Sequence, residues 1–311
     1  MQKLSGIIPP MITPLAGQEK LDDAGLERLI EHILDGRVKG LFVLGSSGEA
    51  ASLTEPLRRA VVTQTVRQVA GRVPVLVGIT DTCLSDCLAA ARYAADQGAA
   101  AVVMAAPYYF PISQDDLYAF TLKVASAAPL PVYVYNMPGC TKVVYEPETL
   151  RRLADCPNIV GVKDSSGDMN YFRRVVALTA ERPDWSILIG PEDLLAEAIL
   201  MGGHGGVCGG ANIFPRLYQE LYEAAAQKNL EQMSRLHRLV MDLSKTIYAE
   251  GYLPGVKHAL QCLNLCSGCV AEPMRRPSAS RQQKIAAFLT AFEWQKPQQR
   301  LSETPRKVAA L

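Results

Sequence analysis

The chain is 311 residues long, 49% of them hydrophobic and 20% charged, with a formal net charge of +1 at pH 7. This length suits one large domain or a domain with an appendage, and the composition is typical of a soluble globular protein. The low net charge argues against a nucleic-acid-binding protein, and no apolar run reaches the roughly eighteen residues of a membrane span. The N-terminal segment MQKLSGIIPPMITP has internal prolines and no small-residue cleavage site, which argues against a signal peptide and favours the cytoplasm.

Short apolar runs alternate along the chain with longer amphipathic segments. In order the runs are GIIPPMITP, GLFVLGSS, VPVLVGIT, AAVVMAAP, PVYVYNMP, IVGVKDSS, WSILIGPE and GGVCGGAN. Continuous valine- and isoleucine-rich runs are typical of parallel strands that are covered on both faces. The segments between them have helical spacing, and Thr54, Pro56 and Asp168 are predicted to mark helix starts.

Eight strand–helix pairs end near residue 225, which predicts an α/β fold, a (β/α)8 TIM barrel over residues 1–225. A doubly wound open sheet is the competing fold. It usually carries a glycine-rich dinucleotide turn after its first strand, whereas the first run here ends in TPLAGQEK.

After residue 225 the pattern is helical without strands, which predicts a small C-terminal helical appendage over residues 226–295. The polar, proline-bearing residues 296–311 are predicted to form a mobile tail. Within the appendage, Cys262, Cys266 and Cys269 superficially resemble a metal-ligand group. A second ligand pair is missing at the common spacings, so we expect packed thiols and no metal.

The active site of such a barrel lies at the C-terminal ends of its strands, so the residues that follow each run are the candidates. They are GSSGE (45–49), PYYF (107–110), YNMP (135–138), Lys163, GPED (190–193) and the glycine-rich 205–212. This set contains one amine, several phenols, two hydroxyls and no metal-ligand cluster.

Lys163 is the candidate that carries most of the chemistry. An ordinary lysine is almost entirely protonated at pH 7, but burial disfavours the charged form and leaves an amine that can attack a carbonyl. Alone, Lys163 is as well explained by a strand-end lysine that reaches solvent, and tyrosines or serines at strand ends are often packing or turn residues. The convergence of all these groups at one end of the barrel favours an active site.

In three motifs the chain resembles the dihydrodipicolinate synthase / N-acetylneuraminate lyase family of class I, Schiff-base aldolases. The motifs are GSSGE at 45–49, YNMP at 135–138 and GVKDSSGD at 161–168, in the family's order and spacing. The resemblance covers about residues 6–292. It implies a homotetramer built as a dimer of dimers, small-molecule substrates, and no metal or organic cofactor.

The resemblance also implies a role for each matching residue. Lys163 would form an imine with the keto carbon of pyruvate or a pyruvyl substrate, and Tyr135 would be the acid–base group. Ser46 would link Tyr135 to Tyr109, which in the family reaches in from a neighbouring subunit. The substrate-binding positions that the resemblance implies are Ser47, Gly48, Gly190, Val207, Ser165, Glu192 and Asp193.

Two departures from the family pattern bear on the substrate. Dihydrodipicolinate synthases usually carry an arginine where this chain has Cys140, and neither a thiol nor the nearby Lys142 replaces a bidentate guanidinium. Glu192 and Asp193 match an acidic pair that holds substrate hydroxyls in the family's sugar-acid lyases, although such a pair is also common in the first turn of a helix. Gly209, however, stands where those lyases tend to have serine.

These features favour a pyruvate-dependent lyase that acts on a 2-keto-3-deoxy sugar acid. Three alternatives stay open at this point: a dihydrodipicolinate synthase with altered carboxylate recognition, a keto-deoxy acid dehydratase, and a non-catalytic keto-acid sensor.

Overall fold

A parallel eight-stranded barrel forms the body of the protein in the computed structural model, which describes residues 3–292 and 294. The strands are β1 (Gly6–Ile7), β2 (Leu15–Gly17), β3 (Lys20–Leu21), β4 (Leu41–Val43), β5 (Val75–Gly78), β6 (Ala101–Ala105), β7 (Val132–Asn136), β8 (Ile159–Asp164), β9 (Ser186–Ile189) and β10 (Gly205–Gly206). Strands β2 and β3 pair as a small antiparallel hairpin outside the barrel.

The barrel closes between its first and second strands. The sheet runs in the order β1-β10-β9-β8-β7-β6-β5-β4, and all its pairs are parallel. On the remaining side, the Phe42 amide donates to the Pro9 carbonyl at 3.0 Å and the Met11 amide donates to the Phe42 carbonyl at 2.7 Å. The predicted (β/α)8 barrel is therefore confirmed.

Helices surround the barrel and continue beyond it. They are α1 (Asp23–Asp35), α2 (Glu55–Val69), α3 (Leu84–Gln97), α4 (Gln114–Ala127), α5 (Pro138–Thr141), α6 (Pro147–Leu153), α7 (Met169–Ala177), α8 (Leu195–Leu200), α9 (Pro215–Ala226), α10 (Leu230–Ile247), α11 (Tyr252–Cys262) and α12 (Ala279–Ala291). No helix within the described residues is both long enough and apolar enough to cross a membrane.

The two predicted helix starts differ in how they are capped. Asp168 accepts from the amides of Asn170 and Tyr171 at 2.8 and 3.1 Å, as a capping carboxylate does. Thr54 occupies the cap position of α2, but its hydroxyl makes no capping hydrogen bond, and Pro56 lies in the first turn as expected.

The C-terminal helices α10 to α12 match the predicted appendage in position. The division into a barrel over residues 1–225 and a helical region over 226–295 stays a prediction, and the predicted tail at 296–311 lies outside the described residues. Helix α10 packs on α9, and α11 packs on α12.

Inside the barrel, side chains from alternate strand positions form a continuous apolar filling. Its members are Leu4, Ile8, Phe42, Leu76, Ala101, Val103, Ala105, Tyr133, Tyr135, Leu188 and Val207. Tyr133 lies below Tyr135 on β7, and its hydroxyl donates to Ser186 Oγ at 3.3 Å. Burial raises the pKa of Tyr133 to about 12, so the phenol stays neutral.

Gly161 makes room for that phenol. A Cβ at residue 161 would lie 2.6 Å from the Tyr133 ring and would overlap the Ser186 carbonyl oxygen. Because Gly161 precedes Lys163 by two positions on β8, it supports the strand that carries the amine.

We expect Gly161→Ala to destabilise the protein by about 1–3 kcal/mol, because the new methyl group has no space and must displace the Tyr133 ring or the strand. Urea denaturation followed by circular dichroism measures the change. Gly17→Ala is the matched control, since a Cβ there has nothing within 4 Å. Equal stability of the two variants would contradict this account of the barrel interior.

Candidate active site

A cavity of about 670 Å³ opens at the C-terminal ends of the barrel strands. Ligand pockets typically have volumes of about 300–1,000 Å³, so it is large enough for a small substrate. The predicted site residues that line it are Ser46, Ser47, Tyr135, Lys163, Ser165, Gly190, Glu192, Asp193 and Val207. The barrel thus brings together groups from five different strand ends.

Lys163 lies inside the barrel, with only 5% of its surface exposed. Strands β7 and β8 pair Tyr135 directly with Lys163, so both side chains enter the barrel at the same level. The Lys163 Nζ lies 3.9 Å from the centre of the Tyr135 ring and 4.9 Å from that of the Phe42 ring. The alternative in which Lys163 reaches bulk solvent is therefore wrong.

The residues that follow Tyr135 and Lys163 on these strands are hydrogen-bonded to each other. Asn136 Nδ2 donates to Asp164 Oδ1 at 2.8 Å, and Asp164 also accepts from the amide and hydroxyl of Ser166 at 3.0 and 2.9 Å. Asp164 is completely buried, and burial raises the pKa of its carboxyl above the usual range. Because side chains alternate along a strand, this contact outside the barrel fixes the register of Tyr135 and Lys163 inside it.

The serine loop, residues 45–49, forms a tight turn beside the cavity. The Gly48 amide donates to the Gly45 carbonyl at 3.0 Å, and Thr13 Oγ1 donates to the Gly48 carbonyl at 2.7 Å. Ser46 is exposed at the cavity wall, while Ser47 is buried with its Oγ 2.9 Å from the Tyr252 hydroxyl. Gly48 belongs to the turn but does not line the cavity.

Glu192 is a buried carboxylate whose two oxygens accept hydrogen bonds from other groups of the protein. Its Oε1 accepts from Tyr218, Tyr248 and Ser244 at 2.7, 2.5 and 3.1 Å, and its Oε2 accepts from the Gly210 amide at 2.7 Å. Burial, reinforced by this carboxylate, raises the pKa of both phenols well above the usual value, so they remain donors.

The two members of the predicted acidic pair therefore differ. Glu192 joins the barrel to α9 and α10, whereas Asp193 is exposed at the cavity rim. Binding of substrate hydroxyls by these residues stays a prediction, and Asp193 is the member with free access.

Tyr109 is a predicted catalytic residue that the barrel does not bring into this arrangement. It is 86% exposed with a backbone φ of +88°, and its ring packs edge-on against Phe110. Tyr109 does not line its own chain's cavity. Tyr108 and Phe110 are exposed beside it, so the segment presents three aromatic rings to its surroundings.

The rim of the cavity contains Cys140 on the side of α5. Cys140 is exposed, while the Lys142 ammonium donates to the Gly139 carbonyl at 2.8 Å and does not line the cavity. Helix α10 contributes Asp242 and Lys245 to the lining of the same cavity.

The C-terminal helices add residues that the analysis of strand ends missed. The added lining residues are Met241, Asp242, Ser244, Lys245, Tyr248 and Tyr252. The Tyr252 hydroxyl occupies the space beside Gly209, where a Cβ would overlap it. The phenol therefore stands where a serine side chain would begin, and the sequence held no signal for this beyond a tyrosine at a helix start.

Within residues 3–292 and 294, no three histidine, cysteine or acidic side chains converge as metal ligands. Cys266 is buried, and the Cys262 Sγ lies 3.5 Å from His258 Nε2.

Comparison with known proteins agrees with this site. A model of the dihydrodipicolinate synthetase family matches residues 3–292. A 4-hydroxy-tetrahydrodipicolinate synthase of Thermomicrobium roseum is 33% identical over 93% of this chain and 94% of that protein. A probable 2-dehydro-3-deoxy-D-pentonate aldolase of Escherichia coli is 31% identical over 94% of this chain and 98% of that protein.

The fold comparison points in the same direction. The solved structure of dihydrodipicolinate synthase from Bacteroides thetaiotaomicron superimposes with a TM-score of 0.90 and 46% identity, covering 93% of this chain and 99% of that one. The resemblance drawn from the three motifs is confirmed: the chain belongs to the dihydrodipicolinate synthetase family and is a lyase of the class I aldolase type.

Proposed function

We propose that Lys163 forms an imine with the keto carbon of pyruvate or of a 2-keto acid. The observation that carries this proposal is the buried Lys163 amine against the face of Tyr135, at the floor of a cavity that small molecules can enter. A lysine amine in this position is placed to attack the keto carbon of a small molecule that enters the cavity.

The reaction then follows from the imine. The Lys163 nitrogen bonds to the keto carbon, water leaves, and the resulting iminium accepts the electron pair of the C3–C4 bond when that bond breaks. The C4 hydroxyl loses its proton through Tyr135 as the aldehyde forms. Protonation of the enamine carbon and addition of water then release pyruvate and free the amine.

The remaining predicted residues have roles in binding and proton transfer. Ser46 relays protons between Tyr135 and Tyr109, and Ser47, which lines the cavity, holds the carboxylate of the keto acid. Gly190 and Val207 shape the pyruvyl pocket, while a larger residue at 190 would overlap Ser165 Oγ.

The substrate class that we propose is a 2-keto-3-deoxy sugar acid. Asp193 and Asp242 at the rim suit the hydroxyls of a sugar chain, and Cys140 offers nothing to a second carboxylate. The E. coli relative named as a probable 2-dehydro-3-deoxy-D-pentonate aldolase supports this class. Dihydrodipicolinate synthesis is the second candidate, because the T. roseum relative and the superimposed structure bear that name.

The imine has a direct chemical test. Pyruvate with sodium borohydride should add one reduced pyruvyl group per chain, detected by intact mass, because reduction converts the imine into a stable amine. Lys163→Ala should abolish the adduct. Lys142→Ala should keep it, since the Lys142 ammonium is hydrogen-bonded to the Gly139 carbonyl outside the cavity. Wild-type protein without added mass would rule out the imine.

The substrate class is tested by product analysis. Wild type should release pyruvate from 2-keto-3-deoxy pentonate or hexonate and should consume little pyruvate with aspartate semialdehyde. Cys140→Arg should raise turnover of the semialdehyde by about tenfold or more, because a guanidinium pairs with its carboxylate. Cys83→Arg, at another exposed cysteine, should not change it.

Faster wild-type turnover of the semialdehyde than of any keto-deoxy acid would replace the sugar-acid substrate with the synthase reaction. Loss of water from a keto-deoxy acid without release of pyruvate would instead identify a dehydratase.

We also propose a homotetramer, a dimer of dimers, in which Tyr109 enters the site of a neighbouring subunit. The exposed ring of Tyr109 and its absence from its own cavity support this arrangement. It would cover an aromatic surface that a monomer leaves in water.

Subunit mixing tests the crossing. Lys163→Ala and Tyr109→Phe should each be severely impaired alone, and mixed oligomers should regain activity, because one site then combines an intact lysine with an intact partner tyrosine. Lys163→Ala mixed with Tyr135→Phe is the control and should stay inactive, since both residues act within one chain. No recovery in the first mixture, with exchange verified by mass spectrometry, would contradict the crossing.

A further inference from the structure

We propose that helix α11 positions the serine loop for carboxylate binding, through Lys257 on one side and Tyr252 on the other. This inference rests on the proposed function, in which Ser47 holds the carboxylate of the keto acid. It makes the C-terminal helical region a working part of the active site, with Lys257, Glu49 and Tyr252 as positioning residues.

The first contact is a completely buried ion pair. Lys257 on α11 and Glu49 at the end of the serine loop both have side chains with 0% exposure, and the ammonium contacts the Glu49 carboxylate directly. The Lys257 ammonium also donates to the Cys269 carbonyl at 2.7 Å, and Glu49 Oε1 accepts from the Ala271 amide at 2.7 Å. Relative to apolar packing, a buried pair contributes little net stability, so its main consequence is where it holds the two groups.

A short, strained turn connects Glu49 to the two serines, so the position of Glu49 restricts theirs. Its backbone φ is +57°, a left-handed conformation that non-glycine residues rarely adopt. The Glu49 amide donates to the Ser46 carbonyl at 3.2 Å, and the Ala50 amide donates to the Gly45 carbonyl at 3.4 Å. Since only Gly48 separates Glu49 from Ser47, holding the Glu49 side chain in place holds the Ser47 backbone.

The second contact acts on the Ser47 side chain. The Tyr252 hydroxyl lies 2.9 Å from Ser47 Oγ, and burial keeps the pKa of Tyr252 well above its usual value. The phenol therefore keeps its proton and can donate a hydrogen bond to Ser47 Oγ. The Ser47 hydroxyl hydrogen is then free to point into the cavity, towards the carboxylate.

Borohydride trapping at a series of pyruvate concentrations measures this positioning. The quantity recorded is the pyruvate concentration that gives half of the maximal adduct, together with kcat and the melting temperature. Tyr252→Phe should raise the half-saturating pyruvate concentration about three- to tenfold, the effect of losing one hydrogen bond, while the adduct at saturating pyruvate stays complete.

Tyr145→Phe is the matched control for Tyr252→Phe. It removes a phenol that lies 2.9 Å from another side-chain hydroxyl, that of Thr121, among buried residues outside the cavity. A loss of stability without a change in half-saturation is expected for this variant.

The ion pair is tested by the double variant Glu49→Gln/Lys257→Met, which removes both charges together and so leaves neither buried alone. It should also raise the half-saturating pyruvate concentration by at least about threefold. The surface pair Glu31→Gln/Arg72→Met is its control, because both partners are about half exposed and neither lines the cavity. If the buried double variant does not fold, Tyr252→Phe alone decides.

The outcomes separate the two proposals. Wild-type protein that forms no adduct overturns the proposed imine, and the carboxylate role of Ser47 falls with it. Wild type that is trapped, with half-saturation unchanged within about twofold in Tyr252→Phe, overturns the role of α11 alone. A parallel rise in the Tyr145→Phe control would show a general loss of structure and would also overturn it.

Discussion

The pairing of Tyr135 with Lys163 across two neighbouring parallel strands is the constraint on which the site depends. A shift of one residue between β7 and β8 would send one side chain out of the barrel, because successive side chains point to opposite faces. The Asn136–Asp164 hydrogen bond outside the barrel opposes such a shift. Below the pair, the Tyr133 ring fills the space that Gly161 leaves in the barrel interior, and above it Lys163 lines the cavity.

Polar groups that are remote in sequence complete the site around this pair. Glu192 gathers two phenols, a serine hydroxyl and an amide, and in doing so ties α9 and α10 to the end of the barrel. A buried carboxylate is costly unless donors surround it, and here they do. Helix α11 contributes in the same manner at the serine loop. The barrel supplies the Lys163 amine, and the C-terminal helices shape the space in front of it.

The sequence predicted the barrel and the strand-end residues because both depend on local patterns. Apolar runs specify strands, and the fold then brings their ends together without knowledge of any side-chain contact. It could not predict Tyr252 or the Glu49–Lys257 pair, since those contacts arise only when distant segments pack. The acidic pair illustrates this limit. Glu192 and Asp193 are adjacent in the chain, yet Glu192 accepts hydrogen bonds from buried groups of the protein and Asp193 is exposed at the rim.

The contact between Gly209 and Tyr252 has a consequence for how such enzymes diverge. Any side chain at residue 209 would collide with the phenol, so a glycine-to-serine change there requires the Tyr252 ring to move. A larger residue at 209 is best accommodated when a smaller one replaces Tyr252. Homologues with altered specificity should therefore covary at these sites, and attempts to redesign the pocket one residue at a time will meet a steric barrier.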